Sequence, residues 1–331
     1  MTTSDDNKPS PPPAAVPTGS FFDRFSERQM VIFVMLVGVL LYLPFAGSYG
    51  LFDPWETHYG EVGRQMATRN DFISLYWPGS PLDTENFWSK PVLTFWLMSL
   101  SMKVFGIGSA GLSAGAFALS TRPEWALRLP FCLMALPALL GVYLPVARFV
   151  SRRAGVLSVL ALATFPLFSL VARQAMTDMA FIGPMTLGLG LCALALFDDK
   201  DDVLPRKVWK GFSWPHHPLY YTLLALMAVT VLPQLIVNSI QLTWPLPWKH
   251  FVLPGVVAML PYFVGLFLFI YYTANTRYKA PFYLYIASIL CGLAMLAKGL
   301  AGLGLPVIVF LAYLFFTWNW KRLARAQLLR A

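Results

Sequence analysis

The chain has 331 residues, of which 57% are hydrophobic and only 12% are charged, and its formal net charge is +9. A soluble domain carries about 25% charged residues, so this composition excludes an ordinary soluble protein and predicts an all-α polytopic membrane protein. The basic excess does not indicate a nucleic-acid partner, because the Lys and Arg residues are scattered at the ends of apolar segments rather than gathered on one face.

The N-terminal segment is rich in Pro, Ser and Ala and shows no hydrophobic periodicity. Such a composition cannot bury a core, so we predict a disordered cytoplasmic tail and pre-helix segment over residues 1–29. Arg24 and Arg28 precede an apolar run over residues 30–49, close to the roughly 20 residues that span a bilayer. Basic residues before a first span favour a cytoplasmic N-terminus, so we expect the following loop to lie outside.

A large outer loop is predicted over residues 50–124, because the apolar stretch 91–106 is short and contains Lys103. We interpret this stretch as a re-entrant or interfacial helix, followed by a Gly-, Ala- and Ser-rich loop over 107–121. The topology leaves 16 of the 25 basic residues on the inner side, as the positive-inside rule expects. The transmembrane domain is predicted over residues 30–320 with eight spans, at 30–49, 125–147, 154–173, 179–197, 218–240, 251–272, 281–297 and 303–320, followed by a basic cytoplasmic tail at 321–331.

The stretch from Leu51 to Pro91 is unusually acidic for a loop between apolar segments. It holds six of the 16 acidic residues of the chain, namely Asp53, Glu56, Glu61, Asp71, Asp83 and Glu85. Charge beside a membrane is costly unless it is solvated, paired or used in function. We therefore interpret this loop as the active-site segment of a membrane enzyme, with the remaining helices as its scaffold.

Asp53, Pro54 and Glu56 form a typical helix start, with Asp as the N-cap, Pro at the first helical position and Glu completing a capping box. The helix that follows has an apolar stripe suited to lying on the membrane, formed by Trp55, Tyr59, Val62 and Met66. From this segment alone, Asp53 and Glu56 are explained as well by capping as by a role as general base.

Three further charged residues, one near the end of this loop and two between predicted spans, reach the same outer face in the predicted topology. Lys90 is either an interfacial anchor beside aromatic residues or a phosphate-binding cation. Asp178, between two predicted spans, is either a solvated helix cap or a functional carboxylate. Lys298 is either a snorkelling span end or a second anion ligand. Together with the loop carboxylates they could bind an anionic lipid headgroup and deprotonate a hydroxyl.

The three cysteines, Cys132, Cys192 and Cys291, each lie within an apolar run and have no partner at metal-binding spacing. We interpret them as small buried hydrophobic residues. The carboxylates of the outer loop could coordinate a divalent ion, but no spacing among them is diagnostic. The sequence therefore predicts no certain cofactor and leaves a divalent metal ion as an open alternative.

The ordered set of motifs resembles the GT-C glycosyltransferases that use polyprenyl-phosphate sugars, especially the lipid A aminoarabinose transferases and the protein O-mannosyltransferases. The resemblance covers roughly residues 30–320 and departs from the family at two positions. The catalytic Asp of the family falls on Trp55, and an Arg of the family falls on His58. The matching residues are Glu56-Thr57, Tyr59, Glu61, Arg64-Gln65-Met66, Lys90-Pro91 with Phe95-Trp96, Asp178, and Lys298-Gly299 with Pro306.

This resemblance implies an inverting glycosyltransferase of the bacterial inner membrane. It would move a sugar from a polyprenyl-phosphate donor to a hydroxyl of a lipid or protein acceptor on the outer, periplasmic face. The implied catalytic residues are Asp53 or Glu56 as general base and Asp178 as an orienting carboxylate. The implied substrate-binding residues are His58, Tyr59, Glu61, Arg64, Lys90 and Lys298.

Two other classes of protein stay open on the sequence. A lipid or solute transporter needs ionisable residues deep within its spans, and this chain has few of them. A non-catalytic membrane partner or a fragment would keep the scaffold without the base, which Trp55 at the Asp position of the family favours.

Overall fold

The computed structural model describes residues 21–78, 85–107, 123–198, 203–245 and 252–318. Asp83, the tail residues 1–20 and 321–331, and nearly all of the predicted loop 107–121 lie outside this part of the chain. The described residues are mainly helical, as the composition predicts.

The helices are α1 (Glu27–Tyr42), α2 (Trp55–Arg69), α3 (Leu93–Val104), α4 (Pro123–Phe149), α5 (Arg152–Thr164), α6 (Pro166–Ala172), α7 (Thr177–Phe197), α8 (Pro218–Gln241), α9 (Gly255–Ala274), α10 (Lys279–Lys298) and α11 (Ala301–Thr317). Two antiparallel hairpins join helices: β1 (Arg206–Trp209) pairs with β2 (Phe212–Pro215), and β3 (Thr243–Pro245) pairs with β4 (Val252–Pro254).

The prediction of eight transmembrane helices is not confirmed. Within the described residues, five helices are long and apolar enough to cross a membrane, namely α4, α7, α8, α9 and α10. The pair α5 and α6 adds a sixth if it counts as one broken span, since its two parts are bent by 70°. The predicted first and last spans correspond to the shorter helices α1, with 16 residues, and α11, with 17 residues.

Proline explains both the broken span and the short first helix. The predicted span 154–173 is interrupted at Phe165, which has an extended backbone because the next residue is Pro166. Proline cannot donate the backbone hydrogen bond that would join the two parts. In the same way α1 ends at Tyr42, two residues before Pro44, well short of the predicted residue 49. Its start is capped by Ser26 and Gln29 in a reciprocal capping box.

The predicted capping box at the start of α2 is wrong. The cap residue is Pro54, which has no side-chain hydrogen bond to the helix. The Asp53 carboxylate instead accepts a hydrogen bond from the Thr57 hydroxyl at 2.7 Å. The Glu56 carboxylate turns into the protein toward Arg128 at 2.6 Å. A buried charged partner stabilises this orientation more than an exposed cap would.

The helices α2 and α3 pack together, and α3 also contacts α4 and α10. The 12 residues of α3 extend over about 18 Å, too short to cross a bilayer. Gly63 permits the close approach, since a Cβ atom there would lie 2.8 Å from the Met98 side chain. The predicted apolar stripe of α2 is buried at Tyr59, Val62 and Met66, whereas Trp55 is 51% exposed.

The centre of the bundle is formed by α7 packed between α4 and α10. Glycines bring α4 and α7 close together: a Cβ atom at Gly183 would lie 2.0 Å from the Met134 carbonyl oxygen. At Gly190 it would lie 2.2 Å from the Gly141 carbonyl oxygen. This packing holds α7, which bears Asp178 in its first turn, against α4. The three cysteines are buried, as predicted, and each has a free thiol.

Candidate functional site

Lys90 and Lys298, far apart in sequence, line one cavity of about 700 Å³. Lys90 lies just before α3, and Lys298 is the last residue of α10. Aromatic and polar groups complete the wall, including Phe87, Trp88 and Asn86. Two ammonium groups at the wall of an amphipathic cavity suit a ligand with an anionic group and an apolar part.

Asp178 is ion-paired with Lys298 through a hydrogen bond that the lysine ammonium donates to the carboxylate. The pair connects the first turn of α7 to the end of α10, where Gly299 adopts a φ of +70° that ends the helix. Both side chains are partly exposed. Within the described part of the chain, Lys298 is paired with a carboxylate and Lys90 is in no ion pair.

Asp53 is exposed at the N-terminal end of α2, and its carboxylate accepts a hydrogen bond from Thr57. One hydrogen bond leaves acceptor capacity on this carboxylate for a second partner. An exposed carboxylate just before α2 is therefore available as a proton acceptor.

Glu56, the other candidate base, is fully buried and paired with the fully buried Arg128 of α4. Its two oxygens accept a fork of hydrogen bonds from Arg128, at 2.9 Å from Nε and 2.6 Å from the terminal nitrogen. Backbone N–H groups of Phe52 and Ala175 donate to the same carboxylate at 2.8 and 2.7 Å. This geometry argues against Glu56 as the general base, because the carboxylate is buried and both of its oxygens already accept hydrogen bonds.

Sequence reasoning missed Arg128. The signal was present, since Arg128 is a lone cation inside the predicted span 125–147 and an ionisable residue in a span indicates a functional or paired group. Its partner could not be identified from spacing, because Glu56 lies 72 residues away.

His58 and Tyr59 belong to an aromatic cluster beside the cavity. The His58 ring stacks on Trp77 with 3.7 Å between ring centroids and meets the edge of Phe87 at 5.0 Å. Burial lowers the pKa of His58, so its neutral form is favoured. The pKa of the buried Tyr59 is raised, first by burial and then by the charge of Asp178. Phe87 also lines the cavity, so this cluster supports its wall.

Glu61 and Arg64 form the ion pair that their spacing on α2 predicts. Arg64 donates two hydrogen bonds of 2.7 Å to Glu61, and Gln65 donates a third of the same length. The hydrogen bond from Arg64 is the main reason that the pKa of Glu61 is lowered. Both side chains are partly exposed, at 32% and 40%.

In the part of the chain that the structure describes, no three His, Cys, Asp or Glu side chains group closely enough to hold a metal ion. Two lysines, Lys90 and Lys298, line one cavity, and the Asp178 carboxylate is paired with Lys298. Their chemistry is suited to anion binding and proton transfer.

A family model described as dolichyl-phosphate-mannose-protein mannosyltransferase matches residues 89–264, more than half of the chain. The match includes Lys90 and Asp178 and ends before Lys298. It begins after α2, so it does not include Asp53 or Glu56.

Several curated relatives share one printed function. An undecaprenyl phosphate-alpha-4-amino-4-deoxy-L-arabinose arabinosyl transferase of Pseudomonas fluorescens strain Pf-5 is 28% identical over 112 residues, covering 34% of this chain and 18% of the relative. The transferase of the same description from Yersinia pestis strain Pestoides F is 33% identical over 78 residues, covering 24% and 13%. These alignments span less than a fifth of the length of either relative.

The fold is similar to that of ArnT from Cupriavidus metallidurans in the apo state. The TM-score is 0.53 at 19% sequence identity, and the similarity covers 91% of this chain and 38% of that chain. Nearly all of this chain therefore matches the fold of a part of a longer chain.

Proposed function

Since the chain belongs to the dolichyl-phosphate-mannose-protein mannosyltransferase family, we propose that it is a membrane glycosyltransferase that uses a polyprenyl-phosphate sugar. The acceptor is a hydroxyl group of a lipid or protein on the periplasmic face of the inner membrane. The observation that carries this proposal is the cavity lined by both Lys90 and Lys298. The names of the curated relatives, which specify an undecaprenyl-phosphate donor, support the class of donor.

The two lysines hold the phosphate of the donor. An ammonium group is a good point-charge partner for phosphate. The stabilisation that it provides increases as negative charge develops on the leaving group. Lys90 contributes its ammonium group to the cavity wall, and Lys298 exchanges its contact with Asp178 for a contact with a phosphate oxygen. The Asp178 carboxylate that is released then orients the acceptor hydroxyl or a neighbouring cation.

Asp53 is the proposed general base. It removes the proton of the acceptor hydroxyl, whose oxygen attacks the anomeric carbon of the sugar. The bond from that carbon to the phosphate oxygen breaks, and the lipid phosphate leaves with the bonding electron pair. The attack from the face opposite the leaving group inverts the configuration at the anomeric carbon. The exposure of Asp53 and the burial of Glu56 support this assignment.

The test is transfer of labelled sugar from a panel of polyprenyl-phosphate sugars to lipid acceptors by the purified protein in lipid bilayers. We expect turnover with at least one donor and a loss of about 100-fold or more in kcat/KM for Lys90→Ala. Lys103→Ala is the matched control, because Lys103 lies at the other end of α3 and donates a hydrogen bond to the Asn70 side chain. Donor binding without turnover by any pair of substrates, or full activity of Lys90→Ala, contradicts the proposal.

A second candidate function is supported by one specific residue. Trp55, 51% exposed on the first turn of α2, stands at the position of the family's catalytic Asp. A non-catalytic membrane partner that keeps the donor cavity explains this residue. It predicts donor binding that depends on Lys90, no transfer by the isolated protein, and unchanged function of an associated enzyme when Asp53 is replaced by Asn.

A further inference from the structure

The buried Glu56–Arg128 ion pair also binds backbone groups of several other segments of the chain. Besides its fork on Glu56, the Arg128 guanidinium donates to the carbonyl oxygens of Ala46 and Tyr49 at 2.8 Å and of Gly50 at 2.7 Å. Its Cζ atom lies 3.9 Å from the centroid of the Tyr49 ring. Arg128 on α4 thus binds the segment that leads from α1 into α2.

The Glu56 carboxylate extends the same network to the start of α7. It accepts from the N–H of Ala175, in the short connection between α6 and α7. It also accepts from the N–H of Phe52, so it closes the turn that precedes α2. Four segments therefore meet at one buried ion pair: residues 46–52, the first turn of α2, α4, and the connection before α7.

Two of these segments lead directly to the site. Asp53 lies three residues before Glu56, and Asp178 lies three residues after Ala175. Asp178 in turn contacts Lys298, which lines the cavity. A continuous chain of hydrogen bonds and short backbone segments thus connects the exposed Asp53 to the cavity.

We propose that Glu56 and Arg128 are positioning residues that fix the first turn of α2, with Asp53, against the start of α7, with Asp178 and Lys298. This inference rests on the proposed function, in which Asp53 is the base. A forked pair of buried charges suits this purpose, because its donors and acceptors match in one arrangement only and a sliding movement would leave a charge unpaired. A reaction that needs base and donor in register is sensitive to such a movement, since a displacement of about 1 Å can cost about 100-fold in rate.

The kinetic test compares Glu56→Gln and Arg128→Lys with wild type in bilayers, for the same donor and acceptor. Glu56→Gln keeps the volume but turns one acceptor into a donor that faces Arg128. We expect kcat to decrease about 100-fold while the dissociation constant for the donor, held by the two lysines, stays close to that of wild type. The acidic limb of the kcat–pH profile is retained in Glu56→Gln, since the base is still present. Loss of that limb assigns Glu56 as the base and overturns the proposal, as does an unchanged kcat.

A matched control is Arg148→Gln, which removes the partly exposed Arg148–Asp198 ion pair between other helix ends. Wild-type kinetics are expected for it. If Glu56→Gln does not fold, Glu56→Asp serves as the milder variant, because it keeps the charge but is one methylene too short to reach all its partners. Its kcat is expected to lie between those of wild type and the positioning-defective variants, and wild-type kcat in Glu56→Asp contradicts the proposal.

A distance measurement distinguishes failure of the positioning role from failure of the proposed function. Nitroxide labels at Trp55→Cys and Leu300→Cys report the separation of α2 from the end of α10, and both positions are exposed, at 51% and 81%. The three native cysteines are buried and will label slowly. We expect one narrow distance distribution in wild type and in Arg148→Gln, and a broad one in Glu56→Gln and Arg128→Lys. Narrow distributions in all variants overturn the positioning role; a broad one in a protein without transferase activity overturns only the proposed function.

Discussion

The Asp53 carboxylate is the general base of the proposed mechanism. It is exposed, and it is hydrogen-bonded to Thr57. Glu56, three residues later, has its oxygens occupied by Arg128 and two backbone N–H groups. We therefore expect Asp53 to act as a proton acceptor and Glu56 to hold the surrounding segments in position.

Replacing Asp53 by Asn is expected to lower kcat by about 100-fold to 10,000-fold, the usual contribution of a positioned general base. The amide keeps the size of the side chain and can still accept from Thr57, so folding and donor affinity should not change. The measurement is steady-state transfer together with donor binding to the same preparation. Equal loss of binding and turnover would count against a role limited to proton transfer.

His58 provides a prediction for pH. Burial lowers its pKa in the folded protein below the ordinary value of about 6.5. The unfolded chain then binds the proton more readily, so the contribution of His58 to stability decreases as the pH falls below about 6.5. His58→Phe keeps a ring against Trp77 without the titration. Thermal unfolding between pH 7.5 and 5.5 should therefore show a smaller loss of Tm in His58→Phe than in wild type, and equal losses would contradict it.

Individual residues also show what sequence patterns can and cannot predict. The spacing of Glu61 and Arg64 predicts their ion pair because both lie on one helix. The spacing of Asp53 and Glu56 predicts a capping box just as well, yet Glu56 turns inward to Arg128. A contact across 72 residues depends on tertiary packing, which local spacing does not report.

At the scale of helices, the close contact of α7 with α4 positions Asp178. Gly183 faces the Met134 carbonyl so closely that an added Cβ atom has no room. Gly183→Ala is expected to push the two helices apart and to destabilise the protein by about 1–3 kcal/mol, while also lowering transfer activity. Gly292→Ala on α10 is the control, because no atom lies within 4 Å of a Cβ atom there. Thermal unfolding and transfer assays of both variants test this; equal effects would contradict the packing argument.

Helix boundaries were predicted less well than helix existence. Hydropathy identified the apolar runs of α4, α7, α8, α9 and α10 because each is long and continuous. It joined α5 and α6 into one span, since an apolar run does not reveal that Pro166 bends the chain by 70°. It extended the first span beyond Pro44 for the same reason.

In the whole molecule, the cavity and the β1–β2 hairpin lie toward opposite ends of α10. Lys298 and the cavity lie at its C-terminal end, and the residues before its start pair with the segment that leads into the β1–β2 hairpin. A helix of 20 residues is about 30 Å long, close to the thickness of the hydrocarbon core. The cavity and the hairpin are therefore expected on opposite sides of the bilayer.

This arrangement makes the predicted orientation testable. A membrane-impermeant maleimide should label Leu300→Cys in intact spheroplasts, whereas Val208→Cys on the hairpin should react only after the membrane is permeabilised. Both side chains are exposed, at 81% and 67%, and the native cysteines are buried. The opposite pattern would place the cavity in the cytoplasm and would contradict the periplasmic site.

The position of Lys298 at the end of a membrane-length helix has a kinetic consequence. A phosphate held there lies at the depth of the lipid headgroups, so a polyprenyl donor can be bound while its hydrocarbon chain stays in the leaflet. The encounter is then a two-dimensional diffusion, and saturation depends on the mole fraction of donor among the lipids. Diluting proteoliposomes with buffer should leave the turnover per enzyme molecule unchanged, whereas adding donor-free lipid to the same vesicles should reduce it.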